Sequence, residues 1–296
     1  MEPAVFSTVG LPDDRRVELW ERHNASALVG LNVHTAAPLR ATEVNVRLPR
    51  VQIARVTGSA HMVERTATMI DQEPSNAIAV YLCVRGDSWF TQDGSTRTLR
   101  PGAALICEAD RPFTRGFSRG VHELVVKIPH EALDTAITTS WPVGAAGPYG
   151  AALAKLTARA TRTEQPVRAD EPTVLELVTV LAMGPRAARP AAHRAAARSF
   201  IEEHLTDPGL GADLVAAAIG VSERQLSRVF AADGISVPRY ILIRRLELAY
   251  AALSAGRGTV ADAAASCGFV SATYFSHAFR ARFGRRAGEV LRAAKF

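Results

Sequence analysis

The sequence predicts an α+β protein of two domains: an antiparallel β-barrel or sandwich with flanking helices, followed by a domain that is entirely helical. The chain has 296 residues, more than the usual single domain of about 100–200 residues. Residues 43–128 are rich in Val, Ile and Thr and are interrupted by turn signals, which is typical of short strands. From about Glu131 the sequence becomes rich in alanine, and its apolar residues take helical spacing.

Two turns divide the strand region. Asp93 and Gly94 lie between residues 89–92 and 95–98, and both tolerate the positive φ angles of a type I′ turn, so we expect a β-hairpin here. A second turn at residues 100–102 precedes an apolar run. Strands this short and closely spaced predict an antiparallel sandwich or barrel.

The predicted domain boundary lies at residues 185–191, where helix breakers and charge leave almost nothing to bury. We expect helices near residues 149–160 and 171–183 to complete a first domain of residues 1–184. The second domain then spans residues 192–296.

The composition restricts the function classes. The net charge is +6, and residues 190–296 hold 14 Lys and Arg against 9 Asp and Glu, so +5 of it lies in the last third of the chain. Such an excess suits a surface that binds phosphates. No apolar run reaches the roughly 18 residues of a membrane span, and the first residues do not read as a secretory signal, so we expect a cytoplasmic protein.

Three cysteines, Cys83, Cys107 and Cys267, stand far apart in the sequence. This spacing fits neither a disulfide framework nor a paired-cysteine zinc site. We expect small buried apolar residues at these positions.

The helical region contains an internal repeat of one supersecondary unit. Residues 216–230 align with residues 264–279 when one extra residue is allowed after the second glycine. Three positions then match at a spacing of 49 residues: Ser222 with Ser271, Leu226 with Phe275, and Phe230 with Phe279.

Each repeat is predicted to be a helix-turn-helix. A glycine ends the first helix in a left-handed conformation, a serine caps the second helix, and a small alanine lets the two helices cross closely. These residues are Ala216, Gly220 and Ser222 in the first unit, and Ala264, Gly268 and Ser271 in the second.

The second helix of each unit buries apolar residues at positions i, i+3 and i+4 and turns its other residues outward. The outward residues lie in the N-terminal half, the part that meets base edges in the major groove of DNA. An arginine there can donate two hydrogen bonds to a guanine, and Tyr, Ser and Thr can reach phosphates or a thymine methyl group. The predicted DNA-binding residues are Arg224, Gln225, Ser227 and Arg228, then Thr273, Tyr274, Ser276, His277 and Arg280.

A helix over residues 237–254, with Ser236 as its cap and Pro238 in its first turn, is predicted to join the two units. Its apolar stripe consists of Leu242, Leu246, Ala249 and Leu253. Eighteen residues span about 27 Å, which suits the roughly 34 Å between successive major-groove faces. The alternative is a helical interaction domain with solvated arginines, but two matched units and the basic excess favour DNA binding.

The helical region resembles the AraC/XylS family of bacterial transcription regulators over about residues 197–294. The resemblance rests on Ser222-x-x-x-Leu226-x-Arg228-x-Phe230, on Arg245-Leu246-x-x-Ala249, and on Ala264-x-x-x-Gly268-Phe269-x-x-x-x-Tyr274-Phe275-x-x-x-Phe279-Arg280-x-x-Phe283-Gly284. It implies that Arg224, Ser227 and Arg228, with Thr273, Tyr274 and His277, face bases, and that promoter DNA and RNA polymerase are partners. Two positions depart from the family pattern: His277 replaces a frequent arginine, and Ala287 a usual proline.

The strand region resembles the cupin-like sensor domains of the same family, through residues 99–103 and Arg111-Pro112. That resemblance implies a small-molecule effector and a homodimer. Tyr81 and Trp89 are candidate ligand-binding residues, because their rings can line an apolar pocket and still offer a polar group. The sequence predicts no cofactor.

Two other functions stay open. One is a constitutive DNA-binding protein without an effector, and the other is a cupin metalloenzyme fused to a regulator. The sequence does not favour the enzyme or predict a metal site, because its N-terminal histidines stand singly without a His-x-His pair, and strand neighbours such as His122 and Glu123 point to opposite faces. The scattered histidines include His34, His61, His122 and His130.

Overall fold

Strands fill the first half of the chain in the computed structural model, which describes residues 3–133, 141–164, 166, 169–184, 189–256 and 258–294, with the backbone alone at 141–145 and 189–190. The strands are β1 (Ala4–Ser7), β2 (Asn32–His34), β3 (Ala41–Arg47), β4 (Gln52–Gly58), β5 (His61–Arg65), β6 (Ala77–Arg85), β7 (Ser88–Gln92), β8 (Ser95–Leu99), β9 (Ala103–Glu108), β10 (Phe113–Phe117), β11 (Val121–Pro129) and β12 (Trp141–Ala145).

These strands form two antiparallel sheets. One has the order β1-β3-β4-β11-β6-β9-β12, and the other β2-β5-β10-β7-β8. Residues that alternate along the strands pack between the sheets in one core, among them Tyr81 and Val125 from the first sheet and Phe90, Phe113 and Phe117 from the second. The predicted α+β class is confirmed, with a sandwich of two sheets in place of a closed barrel.

The predicted hairpin is confirmed. Strands β7 and β8 pair from Ser88 with Leu99 to Gln92 with Ser95. The two turn residues, Asp93 and Gly94, have φ angles of 51° and 72°, as a type I′ turn requires.

The helices are α1 (Arg16–Ala27), α2 (Ala67–Gln72), α3 (Gly147–Ala160), α4 (Glu171–Met183), α5 (Arg189–Glu203), α6 (Ala212–Ala218), α7 (Glu223–Ala231), α8 (Val237–Ser254), α9 (Val260–Ser266), α10 (Ala272–Phe283) and α11 (Ala287–Ala293). Helices α3 and α4 match the two helices predicted to complete the first domain, and α3 contacts β4 and β11. None of the helices in the described residues is long and apolar enough to cross a membrane.

The chain divides into two compact units, residues 1–163 with 169–187, and residues 164–168 with 188–296. Most of the predicted linker, residues 185–188, lies outside the described residues. Helix α5 begins at Arg189, so the end of that segment is helical.

Helix α8 has the predicted bounds and serves two cores in the helical unit. Its first half supplies Tyr240 and Ile241 to the core of α5, α6 and α7. Its second half supplies Leu246, Ala249 and Leu253 to the core of α9, α10 and α11. The predicted stripe is confirmed, and one helix therefore connects the two repeated units through buried side chains.

Candidate nucleic-acid interface and sensor cavity

The first helix-turn-helix consists of α6, a turn and α7. Gly220 has a φ of 69°, and the amide of Val221 donates to the carbonyl of Ala216 at 3.0 Å. The hydroxyl of Ser222 accepts from the amide of Gln225 at 3.2 Å. The predicted left-handed glycine and serine cap are both confirmed.

The second unit, α9 and α10, repeats this geometry. Gly268 has a φ of 80°, the amide of Phe269 donates to the carbonyl of Ala264 at 3.1 Å, and the hydroxyl of Ser271 accepts from the amide of Tyr274 at 3.2 Å. Equivalent hydrogen bonds in both units confirm that the sequence repeat is a structural repeat.

Helices α7 and α10 each present one polar face to solvent. Leu226 and Phe230 are buried in α7, and Phe275 and Phe279 are buried in α10. All nine predicted DNA-binding residues are exposed: Arg224, Gln225, Ser227, Arg228, Thr273, Tyr274, Ser276, His277 and Arg280. Their exposure satisfies the first requirement of a reading face, and their contact with bases stays a prediction.

Further exposed arginines lie at the end of α10 and just after it, and they are not among the predicted DNA-binding residues. Arg282, Arg285 and Arg286 are exposed, and Arg282 donates to Glu247 at 3.2 Å. With Arg280 they place four cations within seven residues, in the last turn of the second reading helix and just after it. The high density of arginine in this stretch of the sequence could have indicated these residues as part of a DNA-binding surface.

A buried ion pair ties α8 to α5. The side chain of Arg244 is 5% exposed, and its Nε lies 2.6 Å from a carboxylate oxygen of Glu202. A second guanidinium nitrogen donates to Glu247 at 2.5 Å. Burial alone would lower the pKa of Arg244, but the carboxylate of Glu202 raises it, so the guanidinium is charged.

The neighbouring Arg245 lies between the segment that follows α5 and the turn of the second helix-turn-helix. Its Nε donates to the carbonyl of Leu205 at 2.9 Å, and another nitrogen donates to the carbonyl of Asp207. A Cβ placed on Gly268 would lie 3.0 Å from the Nε of Arg245. The absence of a side chain at Gly268 therefore serves this close approach as well as the turn.

The first unit contains a cavity of about 40 Å³ that Tyr81 lines; the contact of Tyr81 with a ligand stays a prediction. Trp89, the other candidate, does not line this cavity. It pairs with Gly116 of β10, and its indole lies where a Cβ on Gly116 would be only 2.2 Å away. Because neighbours in a strand alternate, Phe90 faces the core and Trp89 faces the opposite side.

The polar centre of the cavity is an ion pair between the sheets. Two guanidinium nitrogens of Arg115 donate to the two carboxylate oxygens of Glu123 at 3.1 Å and 2.7 Å, and Arg115 Cζ lies 3.8 Å from the ring centroid of Tyr81. Burial lowers the pKa of Arg115, but Glu123 and Tyr81 outweigh it and hold this pKa above its ordinary value. The sequence predicted an apolar pocket whose aromatic rings offer a polar group, and it did not predict this charged pair.

The signal for the pair was present in β10. Phe113, Arg115 and Phe117 alternate along the strand and are all buried. A charged residue at the middle of such an apolar set requires a buried partner. The sequence alone did not supply that partner, because Glu123 belongs to another strand.

The histidines of this unit lie apart. His34 is 3.4 Å from Glu64, and His130 is 2.9 Å from Glu108. His61 lines the cavity, and its Nδ1 is 2.7 Å from the carbonyl of Ser59. Among the residues that the structure describes, no group of three His, Cys, Asp or Glu side chains gathers as a metal ion would need.

The cysteines are free thiols. Cys107 and Cys267 are buried and Cys83 is half-buried. Burial raises the pKa of Cys83 to about 11. The expectation of full burial is thus correct for two of the three.

Comparisons with known proteins match both halves of the chain. Residues 215–293 match the model of a helix-turn-helix domain, and residues 20–215, well over half of the chain, match that of an AraC-binding-like domain. The chain is 26% identical over 256 residues to the transcriptional activator NphR of a Rhodococcus species, which covers 80% of this chain and 76% of that protein.

Two further proteins are similar to this chain, one over part of its length and the other over most of it. The transcriptional activator RhrA of Rhizobium meliloti is 31% identical over 125 residues, or 40% of each protein. The crystal structure of the AraC-like transcriptional activator CuxR covers 90% of this chain and 100% of its own, at 19% identity and a TM-score of 0.48.

Proposed function

The chain belongs to the AraC/XylS family of transcription regulators, and from that premise we propose that it binds promoter DNA as a homodimer and activates transcription in response to a small molecule. The observation that carries the DNA-binding role is the repeated helix-turn-helix. Both units have the same cap and turn hydrogen bonds, and both present an exposed polar face. Two such faces on one chain suit two neighbouring segments of a duplex.

We assign different roles to the two reading helices. Arg228 presents a planar guanidinium whose two donors suit O6 and N7 of guanine. His277 occupies the corresponding position 49 residues later, and a neutral imidazole has one donor only. The first unit therefore selects bases, and the second mainly holds the DNA backbone through Tyr274, Ser276 and Arg280.

The sensor role is assigned to the β-sandwich and its cavity. A ligand regulates the protein only if it binds one arrangement of the chain better than another. Activation is proposed because NphR and RhrA are named transcriptional activators, and RNA polymerase is the partner through which an activator acts. Dimerisation through residues 1–184 and a cytoplasmic location complete the proposal.

Alanine substitutions test the division of roles. We expect Arg228→Ala to reduce base discrimination in one half of the site by about 1–3 kcal/mol, the worth of a bidentate arginine–guanine contact. His277→Ala should weaken binding less and evenly across sequences. The measurement is selection of duplexes from a random pool by the full chain and by each variant, followed by binding to single-base variants of the selected site.

The matched control is Arg285→Ala, which removes an exposed arginine outside both reading helices and should leave base preference unchanged. Loss of discrimination with His277→Ala, together with unchanged discrimination for Arg228→Ala, would contradict the assignment.

A further inference from the structure

The cavity contains a buried donor without an acceptor. Arg115 is 3% exposed, and two of its nitrogens are engaged by Glu123. Within the described residues, no acceptor lies at hydrogen-bond distance from its Nε. A buried N–H group that stays unpaired is unfavourable, so this atom indicates where a ligand acceptor belongs.

The charges that line the cavity favour an anion. Arg115 and Lys127 are cations and Glu123 is an anion, so the fixed charges leave one positive charge in excess. Burial holds the pKa of His61 below its ordinary value, so its imidazole is neutral at pH 7. Burial also lowers the pKa of Lys127, and a bound carboxylate would stabilise its charged form.

The size and the remaining walls define the rest of the ligand. A cavity of about 40 Å³ has room for roughly three water-sized groups, since each requires about 10–15 Å³ by this measure. A carboxylate group has three heavy atoms and therefore fits a space of this size. The other walls include Leu28, Leu31 and Val121, which suit an apolar body once neighbouring side chains move aside.

We propose that the effector is a small monocarboxylic acid whose carboxylate accepts from Arg115 Nε in the cavity that Lys127 also lines, while its apolar body packs against Leu28 and Leu31. This inference rests on the proposed sensor function and deepens it, because it names the ligand class. The Arg115–Glu123 pair then positions the guanidinium, and the ring of Tyr81 holds it from one face.

Matched acids and amides provide the test on the full chain. The probes are butyrate, cyclohexanecarboxylate and benzoate, each compared with its primary amide of nearly the same shape. We expect the acids to raise the unfolding temperature and to change the fluorescence of Trp20, which lines the cavity. The amides should bind about tenfold more weakly, because hydrogen bonds to ionised groups are roughly twice as strong as neutral ones.

Variants of the cavity distinguish binding at the proposed site from a general effect of acids on protein stability. Arg115→Lys should weaken acid binding at least about tenfold by removing the Nε donor and the planar fork, while Arg111→Lys on the surface should not change it. If Arg115→Lys does not unfold cooperatively, Lys127→Met makes the same comparison, with weaker binding of acids and unchanged binding of amides.

Three results would overturn the proposal: no acid binds, the amides bind as well as the acids, or neither variant changes acid binding. Each is distinct from failure of the proposed function, because the same wild-type protein is measured on selected DNA. If the protein binds DNA but none of the acids, only the proposed ligand class is refuted. If it binds no DNA, the proposed function as a transcription regulator is refuted.

Discussion

Raising the salt concentration from 50 to 200 mM is expected to weaken DNA binding by the full chain by about 10³-fold or more. A protein that contacts 6–10 phosphates loses about 10³–10⁵ in affinity over this range. The reason is that binding releases counterions from the DNA, and this release becomes less favourable as the salt concentration rises. Besides Arg224 and Arg228, which are assigned to bases, each chain has five exposed arginines in α10, just after it or at the start of α8, hence ten in the proposed homodimer: Arg239, Arg280, Arg282, Arg285 and Arg286. The measurement is a titration of the selected duplex at several salt concentrations.

Alanine at Arg285 and Arg286 together should reduce the slope of log affinity against log salt by about 1.8, since each phosphate contact contributes about 0.9. We expect these two arginines to contact the phosphates of the DNA backbone and not the bases, so base preference should stay unchanged. A slope near zero for the wild-type chain would contradict the assigned interface.

Arg244→Ala is expected to lower the free energy of unfolding of the helical unit by about 3–5 kcal/mol, the effect of breaking a buried ion pair from one side. The substitution leaves Glu202 and Glu247, whose side chains are 11% and 17% exposed, without their shared cation. For a domain of about 100 residues, each kcal/mol lowers Tm by roughly 4–8 °C. Thermal unfolding followed by helical circular dichroism measures the loss.

The control for this variant is Arg239→Ala, an exposed arginine in the same helix, which should change stability by no more than about 0.5 kcal/mol. Equal stability of the two variants would show that the buried network does not hold α8 in place. DNA affinity should fall with Arg244→Ala as well, because α8 sets the distance between the two reading helices.

The parts of the structure that the sequence predicted are those with local signals. A type I′ turn depends on two adjacent residues that accept positive φ, and Asp93-Gly94 meets that requirement within the segment. The helix-turn-helix units depend on a glycine followed two or three residues later by a serine cap, so the match of Ser222 with Ser271 could be predicted without tertiary information. The apolar stripe of α8 was readable for the same reason.

What the sequence left out depends on contacts between distant segments. Arg115 and Glu123 meet because β10 and β11 lie in different sheets and both residues face inward. Arg244 reaches Glu202 across 42 positions. Trp89 lies outside the cavity lining for a related reason. A shift of one residue moves a side chain to the other face of a strand, and the observed register places Phe90 inside.

Hydroxyl-radical footprinting of the full chain on a selected duplex tests the central claim most directly, that α7 and α10 read neighbouring segments of DNA. We expect each chain to protect two patches on one face of the duplex, separated by about one helical turn of 10–10.5 base pairs. Alanine at Arg224 and Arg228 should remove one patch, and alanine at Thr273 and Tyr274 should remove the other. A single protected patch per chain, or two patches that survive both pairs of substitutions, would contradict the account.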